Sequence, residues 1–221
     1  ILNKFKNLGC AHLNSLKSFY FNIKKNQINI VYYCDTTYAF LTYINKNEYE
    51  IINSQFVTII SWMEDLLNKE SVQRVIKVLR DFDSSLKVQF LNSSARTAID
   101  AASSLNCEVG AIVKSLLLRT DDSFILCLVS GDKRCSLNKI KKILKKKDVS
   151  MANADQVKSQ TGFSIGGVSP VAHLEKIKIL IDSSLSRYEN VYAAAGHPNS
   201  IFKITYKQLI KLTEGKEEDI V

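Results

Sequence analysis

The sequence lacks several features that would place it in a specialised class of protein. None of its apolar runs approaches the roughly 18 residues that a membrane helix needs, and its start does not resemble a signal peptide. Neither an internal repeat nor a low-complexity linker occurs in its 221 residues. With 46% hydrophobic and 24% charged residues, the chain is predicted to be a globular cytoplasmic protein with no membrane contact.

Paired cysteines are also absent. The five cysteines are scattered, and no two of them form a CxxC motif, so the sequence predicts neither a disulfide framework nor a zinc site. We expect reduced, mostly buried thiols, and no pattern indicates a metal or another cofactor. The cysteines are Cys10, Cys34, Cys107, Cys127 and Cys135.

The first 62 residues differ in composition from the rest. They contain no Arg, no Pro and no Met, and Gly9 is their only glycine. One hypothesis is that they are translated upstream sequence or an atypical extension, so that the working domain spans 63–221. The alternative is a genuine small β-rich extension, because residues 28–33 and 49–60 have strand-like composition. Peptides from residues 1–62 in a digest of the native protein would contradict the first hypothesis.

From residue 63 onward the pattern of apolar residues becomes regular. The turn between 111–119 and 124–130 is typical of a hairpin, which we expect at the centre of the sheet. The mixture lacks strict βαβ alternation, so the predicted class is α+β, with a mixed β-sheet flanked by helices. Helices are predicted at 71–82 with Ser71 as N-cap, 97–105, 136–147, 153–160 and 206–212; further strands are predicted at 86–91, 163–168, 177–181, 191–195 and 201–204.

A net charge of +8 favours a polyanionic partner. The densest positive patch covers the predicted helix 136–147, where cations surround an apolar stripe. Contact with a nucleic-acid backbone and a merely solvated helix face are both open interpretations. The patch consists of Lys139, Lys141, Lys142, Lys145, Lys146 and Lys147.

Three places break the local pattern. Lys114 is a cation in an otherwise apolar strand, and it is either a site residue or an edge-strand lysine. The segment Gly166-Gly167-Val168-Ser169-Pro170 could expose backbone amides to a carbonyl or an oxyanion, or could be an ordinary turn. The turn around Gly196 and His197 presents an imidazole, and His173 could face the same space; either histidine could be a general base or a hydrogen-bond donor.

Five segments together, in this order, resemble one known family. They are residues 94–97, 107–118, 154–155 with 161–163, 166–173 and 193–199, and the chain is similar through them to the YbaK/prolyl-tRNA synthetase associated domain family of trans-editing deacylases. The resemblance runs from about residue 71 to 221 and leaves residues 1–70 unexplained. No synthetase motif accompanies it, so the chain resembles the free-standing form.

The resemblance implies roles for particular residues. Lys114 would orient the terminal adenosine or the aminoacyl ester, and the backbone of Gly167 to Pro170 would hold the amino acid and its carbonyl. The other residues implied to bind substrate are Gly166, Val168, Ser169, His173, Gly196, His197 and Thr97. At Ala172 the sequence departs from close relatives, which usually have Gly before the histidine, and this leaves the size of the pocket open.

The implied reaction is hydrolysis of an aminoacyl-tRNA that carries a small wrong amino acid, such as alanine on a proline tRNA. Pocket volume would exclude larger residues, and no Ser-His-Asp set or metal cluster is evident for a covalent or zinc mechanism. Lys139, Lys142 and Lys146 are the expected contacts to the tRNA backbone, and a synthetase or elongation factor is an open further partner. A non-catalytic tRNA- or protein-binding module and a general nucleic-acid binder are the alternatives. The hypothesis requires Lys114 and the bend at 167–170 to converge on one cleft.

Overall fold

The computed structural model describes residues 18–24, 27–34, 37–41, 65–91 and 97–221. The chain divides into two compact units, Ile1–Asp65 and Leu66–Val221. Whether residues 1–62 belong to the native protein stays a prediction. No helix within the described ranges is long and apolar enough to cross a membrane, and the expected cytoplasmic location stays a prediction as well.

The first unit contains a three-stranded antiparallel sheet in the order β1-β2-β3. The predicted strand at 28–33 falls within β2, whereas the one at 49–60 lies outside the described residues. The strands are β1 (Ser18–Lys24), β2 (Gln27–Cys34) and β3 (Thr37–Leu41).

The second unit is built from five α-helices and eight strands among its described residues. The helices are α1 (Glu70–Phe82), α2 (Ala98–Leu105), α3 (Leu137–Leu144), α4 (Ala154–Thr161) and α5 (Tyr206–Thr213). The strands are β4 (Val88–Phe90), β5 (Ile112–Thr120), β6 (Phe124–Ser130), β7 (Val149–Met151), β8 (Lys178–Asp182), β9 (Asn190–Ala194), β10 (Ser200–Thr205) and β11 (Lys216–Glu218).

The eight strands form one mixed sheet in the order β11-β8-β6-β5-β9-β10-β4, and β7 also pairs with β5. The pairs β5–β9, β6–β8 and β8–β11 are parallel, and the remaining pairs are antiparallel. The predicted α+β class and the central hairpin β5–β6 are therefore confirmed.

Strand alternation divides the core between two faces of this sheet. On one face, Val113, Leu117 and Leu126 belong to the same cluster as residues of α1, α4 and α5. On the other face, Leu118 and Cys127 pack with Ile140 of α3. Ile112 shares the second face by alternation and packs with the alanines of α2. The helices thus cover both faces, with α1, α4 and α5 on one and α2 and α3 on the other.

Local capping explains where most helices begin. The side chains of Thr97, Asn153 and Thr205 each accept a hydrogen bond from the third residue of the helix and complete a capping box. Helix α4 ends at Thr161, and the Gly162 that follows adopts a φ of +75°, which is typical of a glycine at the C-terminal end of a helix.

Three local predictions were wrong. Helix α1 begins at Glu70 with Lys69 before it, because the Ser71 hydroxyl donates to the distant carbonyl of Gly196 instead of capping the helix. Helix α3 ends at Leu144, where Lys145 turns to φ +55°. Residues 163–168 form a loop with a turn at Gly166 rather than a strand. The short strands β7 and β11 were not predicted.

We expect Ile140→Ala to destabilise the second unit strongly. Ile140 is fully buried where α3 meets the sheet, so its loss removes apolar contacts and leaves a cavity that costs about 2–5 kcal/mol. Ile99→Ala is the matched control, since Ile99 is a helical isoleucine that is 66% exposed, and its effect should stay within about 0.5 kcal/mol. Urea unfolding of the full chain measures both, and equal losses would contradict the proposed core.

Candidate active site

The glycine-rich bend packs directly on the turn that contains His197. A Cβ atom on Gly167 would lie 2.8 Å from the His197 Cα atom, and a Cβ atom on Gly166 would face the Pro198 ring at 3.7 Å. Gly166 also has a φ of +88°, which favours glycine. The structure therefore brings together two of the segments that the sequence singled out.

The turn after β9 is held by three separate parts of the chain. The Ser71 hydroxyl of α1 donates to the Gly196 carbonyl at 2.9 Å, and a Cβ atom on Gly196 would lie 2.6 Å from the Ser71 carbonyl oxygen. The Ser200 hydroxyl accepts from the His197 amide at 3.0 Å. On the third side, the Leu91 amide donates to the Asn199 carbonyl at 2.8 Å. The backbone at Gly196 and His197 is thus closely fixed.

The His197 imidazole is held in one tautomer. Its Nδ1 atom accepts a hydrogen bond from the Asn199 amide at 3.1 Å, so in the neutral ring the proton sits on Nε2. Burial lowers the pKa of His197, and the charge of Lys69 lowers it further. The neutral ring is favoured, with an Nε2–H group available as a donor.

The His173 imidazole is engaged by residues close to it in the chain. Its Nε2 atom lies 2.8 Å from the Ser169 carbonyl oxygen and, as an N–H, donates to it. Its ring meets the Phe163 ring edge to face at 6.1 Å. Burial lowers the pKa of His173, the Arg74 charge adds to this, and the bond to Ser169 opposes it. His173 therefore ties the bend to the loop that follows it, and its Nε2–H is already used.

Arg74 of α1 also holds this loop, and the sequence analysis did not identify it. Its guanidinium donates to the carbonyls of Ala172 at 3.3 Å and Thr161 at 3.4 Å, and it lies 5.2 Å from the centre of the Phe163 ring. Ala172 adopts φ +63°, a conformation that costs a non-glycine residue roughly 1–2 kcal/mol. A glycine adopts this conformation without that cost, so a glycine would suit position 172, where this chain has alanine.

Two of the implied residues within the bend have side chains that serve the core. Val168 is buried in the cluster on the α1 face, and the fully buried Ser169 accepts from the Val171 amide at 3.3 Å through its hydroxyl. Neither side chain therefore faces a ligand. Within the described part of the chain, the amides of Val168 and Ser169 form no hydrogen bond, whereas the Gly167 amide donates to the Ser164 carbonyl.

Lys114 lies in a central strand, so the edge-strand interpretation is wrong. Its ammonium donates to the carbonyl of Gly131 at 3.2 Å and to that of Lys133. By alternation the side chain shares the face of α2 and α3, while the side chains of Val168 and Val171 pack on the other face. Burial lowers the pKa of Lys114, and the nearby carboxylate of Asp132 opposes that effect.

The strand register leaves one side of the Lys114 backbone without a strand partner among the described residues. Pairing between β5 and β9 stops at Val113 and Ala193, and pairing between β5 and β7 starts at Leu118. Residues 114–117 of β5 therefore face a gap between β9 and β7. If β9 keeps its course, the backbone of Gly196 lies roughly 8 Å from that of Lys114, from a rise of about 3.3 Å per residue and a strand spacing of about 4.8 Å. For Lys114 and the bend at 167–170 to face one cleft, the ammonium would have to reach through this gap. Their convergence stays a prediction.

Thr97 and two of the three lysines expected to touch tRNA have structural partners. Thr97 accepts from the Asp100 amide at 3.1 Å and begins α2. Lys139 pairs with Asp219 at 2.6 Å, and Lys146 pairs with Asp122 at 2.7 Å. Of the three predicted lysines, Lys142 alone has no ion pair within the described residues. These ion pairs favour the interpretation that the lysine-rich surface of α3 is a solvated helix face.

Other features do not coincide with the site. A surface cavity of about 560 Å³ lies at the β5–β6 turn and is lined by residues 119–124, 160 and 175–177, none of which was implied to bind substrate. No group of three or more His, Cys, Asp or Glu side chains in the described ranges could hold a metal ion.

Comparison with known proteins adds an independent finding. The family model described as "Aminoacyl-tRNA editing domain" matches residues 92–212. YwhH of Bacillus subtilis (strain 168), an uncharacterized protein, is 33% identical over 129 residues, which are 58% of this chain and 81% of YwhH.

Similarity extends to a synthetase and to a solved structure. The proline–tRNA ligase of Thermosipho africanus (strain TCF52B) is 32% identical over 97 residues, which are 44% of this chain and only 17% of the ligase. The crystal structure of a candidate trans-editing enzyme for prolyl tRNA synthetase is 37% identical, with a TM-score of 0.65 over 69% of this chain and 97% of that one.

We expect Gly167→Ala to destabilise the packing of the bend on the turn. The new methyl group would lie within 3.0 Å of three His197 backbone atoms, and overpacking of this kind costs about 1–3 kcal/mol. Ser164→Ala, at an exposed position of the same loop, is the control and should change stability by less than about 0.5 kcal/mol. Denaturant unfolding measures both variants. A Gly167→Ala protein as stable as the control would show that the two backbones are not in contact.

Acid should destabilise the loop around His173. A lowered pKa in the folded state means that the unfolded chain binds more protons, so stability falls as pH drops below the ordinary histidine value of about 6.5. His173→Gln keeps an N–H donor but cannot titrate, so its unfolding free energy should fall less than that of the wild type between pH 7.5 and 5.5. Parallel pH dependences of the two proteins would be inconsistent with a buried neutral His173.

Proposed function

Because the chain belongs to the aminoacyl-tRNA editing domain family, we propose that it is a deacylase that hydrolyses the ester between a wrong amino acid and the 3′ end of a tRNA. The family membership confirms the resemblance to the YbaK/prolyl-tRNA synthetase associated domain family and an editing role on aminoacyl-tRNA. That this chain catalyses the hydrolysis, which amino acid it removes and which tRNA it acts on are parts of the proposal.

One observation carries the proposal. The bend at 166–170 rests on the backbone of His197 in the turn after β9, and β9 pairs with β5 up to Val113. This contact supports a site in which the backbone amides of the bend, the Nε2–H of His197 and Lys114 would act on one substrate. Such fixed donors suit an ester carbonyl that becomes an oxyanion.

The chemistry needs few groups because an aminoacyl ester is already activated. Backbone amides of the bend at 166–170 would stabilise the developing oxyanion, and each donor of this type contributes a few kcal/mol, on the order of 3, to transition-state stabilisation. Lys114 would bind the terminal adenosine or the ester, and His197 would donate through Nε2. A positioned water would attack, and the neighbouring ribose hydroxyl could deliver it.

The proposed substrate is a small amino acid, such as alanine, on a proline tRNA, acted on in trans. The likeness to a proline–tRNA ligase and to a candidate trans-editing enzyme supports this choice. Gly166 and Gly167 keep side chains out of the bend, and the methyl group of Ala172 follows within five residues. Larger amino acids would be excluded by pocket volume.

The tRNA body would be bound through the lysines of α3. Lys142 carries no ion pair among the described residues, and the exposed pairs of Lys139 and Lys146 with carboxylates are of the kind worth about 0–1 kcal/mol. Phosphates could therefore replace those carboxylates. A synthetase or elongation factor stays an open further partner.

A non-catalytic tRNA- or protein-binding module is the second candidate. The observation in its favour is that the Lys114 ammonium is held by two carbonyls and projects from the α2–α3 face. Such a module would retain the tRNA and leave its ester intact.

We expect Lys114→Ala to lower the deacylation rate by about 10²- to 10³-fold, the effect of removing a fixed charge at a developing oxyanion or its binding group. Lys203→Ala, which removes an exposed lysine from strand β10, is the control and should retain the wild-type rate. Release of labelled amino acid from a panel of misacylated tRNAs measures all three proteins.

The panel separates the two candidates. Equal rates for wild type and Lys114→Ala would remove Lys114 from the reaction. Binding without release on every small-residue tRNA would instead establish the non-catalytic module.

A further inference from the structure

The Lys114 ammonium is held by a loop that directly follows β6. It donates to the carbonyls of Gly131 and Lys133, the residues on either side of Asp132. The Lys133 amide donates to the Ser130 carbonyl at 3.0 Å and closes the turn. The position of the ammonium therefore depends on the conformation of residues 130–133.

A carboxylate–guanidinium pair fixes that loop. Arg187 Nη2 donates to both oxygens of Asp132, at 2.8 and 3.1 Å, and to the Ser130 hydroxyl at 3.0 Å. The fully buried Ser130 hydroxyl lies 2.7 Å from Asp132 Oδ1 and 2.6 Å from the Gly110 carbonyl oxygen. These contacts anchor the middle of the loop to β6 and to the segment before β5.

Arg187 is itself held in place. Its Nε atom donates to the Ser184 carbonyl at 2.8 Å, and its guanidinium lies 5.0 Å from the centre of the Tyr188 ring. On the other side of the loop, a Cβ atom on Gly131 would lie 2.1 Å from the Val109 carbonyl oxygen. The loop is thus packed between the 3₁₀ turns Val109–Ala111 and Ser183–Arg187.

The ion pair between Arg187 and Asp132 also determines which groups bind the Lys114 ammonium. The Arg187 hydrogen bonds lower the pKa of Asp132 to about 2, so it stays ionised. Both carboxylate oxygens are engaged by Arg187, and Lys114 is left with two uncharged carbonyl acceptors. Its positive charge is then available to a substrate, whereas a direct ion pair with Asp132 would compete for it.

We propose that Arg187 and Asp132 are positioning residues for Lys114: their ion pair holds the 130–133 loop so that its carbonyls orient the ammonium, and it keeps the Asp132 carboxylate off that ammonium. This role rests on the proposed function, because it presupposes that Lys114 acts on the aminoacyl-tRNA. Neither residue needs to contact the substrate in this role.

Deacylation kinetics of Arg187→Ala and Asp132→Asn test the role. We expect kcat to fall by about 10- to 100-fold through misplacement of Lys114, with little change in KM. In the Lys114→Ala background the same changes should have no further effect on kcat, since residues that act through one group are not additive. Arg119→Ala is the control because Arg119 forms an exposed ion pair with Asp148 elsewhere, and it should retain wild-type kinetics.

Two kinetic results would overturn the inference. One is wild-type kcat in Arg187→Ala. The other is an equal loss of kcat from Arg187→Ala with and without Lys114, which would indicate general destabilisation of the unit.

A second measurement does not depend on turnover. Titration of the Lys114 side chain by NMR, with ¹³C-labelled lysine in the full chain, reports its pKa in each variant. The groups whose charges act on Lys114 are Asp132, Arg134, Cys135 and Asp182. Arg187→Ala frees Asp132 to pair with the ammonium and should raise the pKa of Lys114, whereas Asp132→Asn removes a negative charge and should lower it.

The outcomes separate the inference from the proposed function. Opposite shifts of the Lys114 pKa support the arrangement, and an unchanged pKa in both variants overturns it. If the wild type releases no amino acid from any tRNA, the deacylase proposal fails, while the two pKa shifts still decide whether this ion pair controls Lys114.

Discussion

The contact between the Gly167 backbone and the His197 backbone is the constraint on which the candidate site depends. No side chain fits between the two segments, because even a methyl group on Gly167 would approach His197 within 3.0 Å. Since Gly196 is held in turn by Ser71 of α1, three distant segments share one rigid corner. The donors of this corner are main-chain amides and one imidazole, whose directions are set by backbone geometry rather than by flexible side chains.

Features determined by neighbouring residues were predictable from the sequence. The hairpin β5–β6 and the helices at 97–105 and 153–160 were expected, and each depends on residues within a few positions. The segment 163–168 has apolar residues typical of a strand, but its two glycines favour a turn. Phe163 and Val168 are both buried in the core, and the turn at Gly166 lies between them.

The features that the sequence did not predict depend on partners that are distant along the chain. Ser71 was expected to cap α1, and its hydroxyl instead bonds a residue 125 positions away. The hydrogen bonds of Arg74 to Ala172 and of Arg187 to Asp132 join segments that no local pattern connects. The lysines of α3 illustrate the same limit: their charge was evident, but the acidic partners of Lys139 and Lys146 lie in other segments of the chain.

The separation of Ser71, Gly167 and Gly196 along the chain has a consequence for how the protein acquires activity. Closing loops of this length is slow compared with forming the local β5–β6 hairpin. We therefore expect the corner of the sheet to assemble among the last steps of folding, after the helices and the hairpin exist. A nascent or partly refolded chain would carry most of its secondary structure and yet lack the candidate site, so the proposed deacylation would require the fully folded protein.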